Sequence, residues 1–222
     1  LTVLAGSVNR VQEHEVMADN NIMYKQRTLM ARSAPKHIAV SGYHAYEVPF
    51  NVTLANNEET QVKLVSKNDL DIVKKYRVRV SDVRYTTEQK YNVKQYVTFK
   101  NTKNPLPAGI VRTYQKMQST TFLLGESQLK HTPKNSDVEL LLGENFDLKV
   151  KTKMTRNNDD NRKMKRSLEY TLENHSDTKK TLQINIPFVK NARDSLTHSF
   201  PDATWRNASL LSANVVLKAN SQ

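Results

Sequence analysis

Cysteine is missing from all 222 residues, which excludes disulfide staples, thiolate zinc sites and a cysteine nucleophile. Glycine is scarce as well. Five residues leave little room for a phosphate-cradling loop, and the chain has no P-loop, dinucleotide-binding fingerprint or GxSxG elbow. The six histidines form neither HExxH nor a tight i, i+2 pair, so their spacing points away from a zinc centre. No apolar run is long enough for a membrane-spanning helix. The opening residues, LTVLAGSVNR, carry neither a basic leader nor the apolar stretch of a secretion signal. That opening lacks Met and begins inside strand-like sequence, as a processed or trimmed chain would.

What the chain does have is basic charge and period-two order. Lys and Arg number 34 against 22 Asp and Glu, for a net +12, which favours anionic partners such as lipopolysaccharide, phospholipid or acidic polysaccharide. Specific nucleic-acid binding has no motif to support it. Hydrophobic residues are only 37%, yet they sit in periodic runs, so a folded body burying about 70% of its unfolded surface is expected.

The alternation is clearest from residue 105 to 154. There PLPAGIVRTYQK, FLLGE, LKHTPK and LGENFDLKVKTKMT follow one another, most of them broken by Gly or Pro. Leu148, Val150, Thr152 and Met154 alternate with Lys149, Lys151 and Lys153, the spacing of a half-buried strand. Similar segments run from Tyr46 to Leu54, through QVKLVSK, LDIVKKYRVRV and YNVKQYVTFKN, and through TLQINIPFV and NVVLKA. In TLQINIPFV the residues Leu182, Ile184, Ile186 and Phe188 are predicted to point inward. About ten short strands with frequent turn signals and no long helical pattern predict an all-β protein of antiparallel immunoglobulin- or fibronectin-like β-sandwich units. The predicted organisation is a strand at 1–9 from a preceding β domain and a polar connector at 10–42, helical or disordered in part. A β-sandwich unit at 43–143 and a second β unit at 144–222, lacking a final strand, complete it.

Residues 147–156 and 162–174 read as a hairpin turning through NNDDN, a run of turn-formers. With the turn centred on Asp159, Met154 faces Met164, Val150 faces Leu168 and Leu148 faces Tyr170. Lys149 then lies opposite Glu169, and Lys153 opposite Lys165. On this pairing Lys149, Lys151, Lys153, Arg156, Arg162, Lys163 and Lys165 crowd together as a candidate anion site, in which bound phosphate, sulfate or uronate would offset the repulsion of facing lysines. NNDDN lacks the Gly and the distal Glu of an EF-hand loop, so it is read as a turn. His131, before a Thr-Pro turn, is expected to hydrogen-bond the backbone of that turn. Trp205, the only Trp, is read as a lid over the core, or as a sugar-stacking ring.

The order of these segments resembles the domain of unknown function 4139 family, bacterial proteins some of which are labelled mucoidy-inhibitor-like. The resemblance rests on Leu4, Ala5, Gly6, Asn9 and Arg10, then Tyr43 and Tyr46, VTLANNEETQVKLV, KKYRVR and the Pro105–Tyr114 segment. It continues through Gly125 and Glu126, the His131–Lys134 turn, Gly143, Phe146, Asp147 and the Tyr170–Asn174 strand. It implies the C-terminal part of a longer, exported bacterial protein of unknown biochemical role, found in the periplasm, on the outer surface or outside the cell. It brings no catalytic residue and no cofactor. A non-enzymatic protein acting through protein contacts or self-association, in a surface assembly or filament, is therefore expected. A binding module for anionic glycan or lipid headgroups is the alternative. A glycan hydrolase would need paired carboxylates about 5 to 9 Å apart, and the spacing offers no such pair.

Overall fold

The computed structural model describes residues 2–5, 25–29, 36–40, 43–47, 51, 58–62, 66–84, 88–160, 163–188 and 195–221. Among them are fourteen strands and no helix, as the period-two patterning predicts. The chain divides into two compact units whose sequences interleave. One takes 1–71, 99–110 and 128–138, the other 72–98, 111–127 and 139–222. This division differs from the expected one of 43–143 and 144–222. Sequence order suggests that neighbouring strands stay together, but pairing across the sheet sorts them otherwise.

The first unit holds β1 (Thr2–Ala5), β2 (Lys25–Leu29), β3 (Lys36–Val40), β4 (Tyr43–Glu47) and β5 (Glu58–Val62). β4 is the middle strand, antiparallel to β1 and β3, while β2 and β5 pair in parallel. β2 and β3 lie inside the stretch expected to be a connector at 10–42. KQRTL and KHIAV are too short to show a period by themselves, and they become strands through the partners that satisfy their backbone groups. The remaining residues of 10–42, and most of the strand expected after Glu47, lie outside the described residues. Elsewhere in this unit Asn101 is fully buried. Its Nδ2 donates to the carbonyls of Thr132 at 3.3 Å and Pro133 at 2.9 Å, and its Oδ1 accepts from Lys67 Nζ.

The second unit is built chiefly from β6 (Val73–Arg79), β7 (Gln89–Lys100), β8 (Gly109–Met117), β9 (Thr120–Leu129), β10 (Asp137–Asp160), β11 (Lys163–Asn174), β12 (Lys180–Pro187), β13 (Thr204–Asn207) and β14 (Leu210–Leu217). Seven of these form one sheet in the order β11-β10-β7-β6-β12-β14-β13, and β8 and β9 form a two-stranded ribbon. The sheet is mixed, because β12 runs parallel to β6 and antiparallel to β14. This corrects the expectation of a purely antiparallel arrangement.

One face of the seven-stranded sheet is apolar. Tyr76, Val78, Val80, Val93, Leu148, Val150, Leu182, Ile184, Ile186, Leu211 and Leu217 form the core. Phe188 is buried too, so all four residues predicted inward in TLQINIPFV are inward. A sheet that buries one face with no helix to cover it must curl over itself. At one end it does so visibly. The backbone of Asn174, the last residue of β11, pairs with Ser221 just beyond β14, with N–H to carbonyl distances of 2.7 and 3.0 Å. The Asn174 side chain, buried beneath, donates to the carbonyls of Lys218 at 2.7 Å and Thr178 at 2.9 Å. Its Oδ1 accepts from Ser176 N–H and Oγ–H.

β10 has 24 residues, far beyond an ordinary strand, and it is interrupted twice. Gly143 has φ 139°, a backbone shape that L-residues with a Cβ avoid. Asn145 Oδ1 then accepts from Leu148 N–H at 3.0 Å. Further along, the register with β11 slips by one residue between Met154 and Arg156, a bulge that leaves Thr155 unpaired.

Candidate functional site

The long hairpin of β10 and β11 carries most of the predicted site, and its register differs from the expected one by four residues. Met154 lies opposite Leu168, Thr152 opposite Tyr170, Val150 opposite Leu172 and Leu148 opposite Asn174. A four-residue shift preserves the face of every side chain, since strand periodicity is two. The lysines are accordingly on the outer face, as predicted. Their partners are not. Lys153 pairs with Glu169, Lys149 with Glu173, and Lys165 with Asn158. The facing Lys153–Lys165 pair, and the repulsion it implied, do not exist.

NNDDN is not the turn either. Asn157, Asn158, Asp159 and Asp160 belong to β10, and Asp160 pairs with Lys163. Turn-forming residues lie in a ladder here because β11 supplies partners for their backbone groups after the bulge. Arg162 lies outside the described residues.

The outer face therefore interleaves cations with carboxylates. Lys149, Lys153, Arg156 and Lys165 are exposed and Lys151 half-buried. Lys151 Nζ lies 2.5 Å from Glu173 Oε1, and His175 Nε2 lies 3.0 Å from Glu173 Oε2. Hydrogen bonds from Lys151 and then His175 hold the Glu173 carboxyl below its usual range. Glu169 and Glu173 thus offset part of a face on which the cations remain in excess.

His131 Nδ1 accepts the Ala108 N–H at 3.3 Å, a backbone group outside the Thr-Pro turn to which it was expected to bond. Trp205 lies in the short strand β13 and not in a loop. Its ring tilts over Phe188 at a centroid distance of 6.4 Å, and 44% of the residue stays open. The lid reading describes this contact.

Two features escaped the sequence reading. The first is the β8–β9 ribbon, where Tyr114, Met117, Phe122 and Leu123 are 56%, 57%, 50% and 54% exposed. The ribbon turns through Gln118, whose φ is 52°, and Ser119. It is braced on β10 at Gly125, where a Cβ would stand only 2.9 Å from the Leu142 carbonyl carbon. Ser127 Oγ donates to the Leu141 carbonyl alongside, at 2.7 Å.

The second is a half-open cavity of about 580 Å³ at the end of the curled sheet away from Asn174, lined by residues 166–170 of β11, Ile186, Leu211, Val83 and residues 196–200. Phe200 meets the Tyr170 ring edge-on at 5.2 Å. Two of the lining residues each carry a polar atom, Tyr170 Oη and Arg166 Nε, that is buried with no hydrogen-bond partner, and so is Thr152 Oγ1 opposite Tyr170. Burial pushes the Tyr170 hydroxyl up to about 12, so it stays a donor at neutral pH. The signal for this site was in the pattern. Arg166 has the same parity as Leu168, Tyr170 and Leu172, which places a cation on the inward face of its strand.

Among the described residues, no group of three or more His, Asp or Glu side chains is placed to hold a metal ion. The chain matches no known family model, no curated protein and no solved structure.

Proposed function

We propose that this is a non-enzymatic bacterial protein, exported to the envelope or secreted, that works by contacts between copies of the chain in a surface assembly. The observation that carries the reading is the β8–β9 ribbon. It is a thin two-stranded element with four large apolar side chains at least half exposed, and its outer edges offer unpaired backbone groups for strand addition. Scattered exposed apolar residues are ordinary, but four large ones on one two-stranded element favour an association surface. The family resemblance supplies the exported bacterial setting. On this reading the second unit is an immunoglobulin- or fibronectin-like sandwich whose layers are the two halves of the curled sheet.

Light scattering after size-exclusion chromatography tests it. A multimer is expected, returning to monomer in the double variant Tyr114→Lys, Leu123→Lys with unchanged circular dichroism. A wild-type protein that stays monomeric at every concentration removes the proposal. It would bring forward the second reading, binding of anionic glycan or lipid headgroups by the outer face of the β10–β11 hairpin, with Trp205 as a stacking ring. That reading is favoured by the net charge of +12, and it requires steep weakening by salt and by Lys153→Glu.

A further inference from the structure

Buried polar groups without partners are costly. Each one forfeits about 1–3 kcal/mol of hydration without a compensating bond. Folds therefore leave few of them, and those that persist beside a cavity call for a partner from outside the chain. Here Tyr170 and Arg166, whose Oη and Nε are buried without partners, both belong to the lining of one cavity, and Thr152 sits across the strand pair from Tyr170. Tyr170 and Arg166 lie four residues apart on one face of β11, so their side chains stand along the same wall. Both are donors under physiological conditions. A guanidinium has no acceptor, and the Tyr170 hydroxyl keeps its proton.

The rest of the lining sets the kind of ligand. Leu168, Ile186, Leu196, Phe200 and Leu211 make apolar walls, and Thr197, His198 and Ser199 stand at the solvent side. Glu169 reaches the edge from the outer face of β11, where its register partner is Lys153. A single guanidinium balances a single negative charge. The volume of about 580 Å³ is that of an ordinary small-molecule site.

We infer that this cavity binds a small organic monoanion, a carboxylate carried on an apolar body, with the carboxylate on Arg166 and Tyr170 and the body against Phe200, Leu196 and Ile186. Seated there, the ligand ties β11 to the 196–200 segment and to β12 and β14, at the end of the sheet that Asn174 does not tie. Bound ligand raises stability by mass action.

The test uses the whole chain and a defined probe series of acetate, hexanoate, octanoate and phenylacetate, with inorganic phosphate as the contrast, followed by calorimetry and by the shift in melting temperature. Saturable binding is expected that tightens from acetate to octanoate or phenylacetate and exceeds that of phosphate. Tyr170→Phe and Arg166→Met are each expected to weaken it about tenfold or more, the loss of one buried charge-assisted or neutral hydrogen bond. Neither variant is expected to melt at lower temperature when free, because each removes an unpartnered polar group. Three outcomes overturn the inference. They are no saturable binding of any carboxylate, affinity indifferent to the apolar body or surpassed by phosphate, and unchanged affinity in both variants. A variant that melts lower identifies its polar group as structural and likewise counts against the site.

Discussion

At the residue scale, two asparagines do what disulfides do in other small β proteins. Asn101 and Asn174 each fall at the inward parity where an apolar run ends, and both are essentially fully buried. Asn174 is satisfied completely. Its amide donates to two carbonyls, its oxygen accepts from Ser176, and its backbone pairs with Ser221. Replacing it with Ala takes one of two donors from each of the Thr178 and Lys218 carbonyls and leaves the Ser176 N–H without its acceptor. Asn174→Ala is therefore expected to cost about 1–3 kcal/mol, the loss of a buried hydrogen-bonded side chain that leaves one donor unpaired. A urea titration reads this as a lowered midpoint at nearly constant slope. Tyr170 Oη and Arg166 Nε are the opposite case, buried atoms without partners, and the contrast between the two kinds of buried polar group is what separates clasp from binding site.

At the element scale, the β10–β11 hairpin shows how a correct face can accompany a wrong register. Alternation alone places Lys149, Lys151 and Lys153 outward, and any even shift of the partner strand preserves that. The bulge at Thr155 and the continuation of β10 to Asp160 decide which residues face each other. The expected turn at NNDDN rested on composition, but polar turn-formers extend a ladder once a long partner strand is available. A double-mutant cycle on Lys153 and Glu169 is expected to give a favourable coupling of about 0.2–1 kcal/mol that fades with salt. The same cycle on Lys153 and Lys165 is expected to give none, and a repulsive coupling there would restore the turn at Asp159.

The scale of the whole molecule is where sequence order misleads most. β6 and β7 are the inner strands between β10 and β12, so residues 144–222 lack the centre of their own sheet. Expressed alone, that segment would expose Leu148, Val150, Leu182 and Ile184, each buried in the intact chain. It is expected to remain unfolded or to aggregate, with no cooperative melting transition, whereas adding back 72–98 in trans or by fusion should recover one. Cooperative melting of 144–222 alone would contradict the sheet order.

The sequence by itself determined the all-β class, the approximate place of most strands, and the inward faces of β10 and β12, because side-chain alternation is a local property that the strand carries wherever it pairs. Only the tertiary structure decided the parallel β6–β12 contact, the interleaving of the two units, the cross-strand partners of the lysines and the gathering of Tyr170, Arg166 and Phe200 around one cavity. Those depend on which distant strands satisfy one another's backbone hydrogen bonds while burying a single apolar face. Period-two patterning is indifferent to that choice.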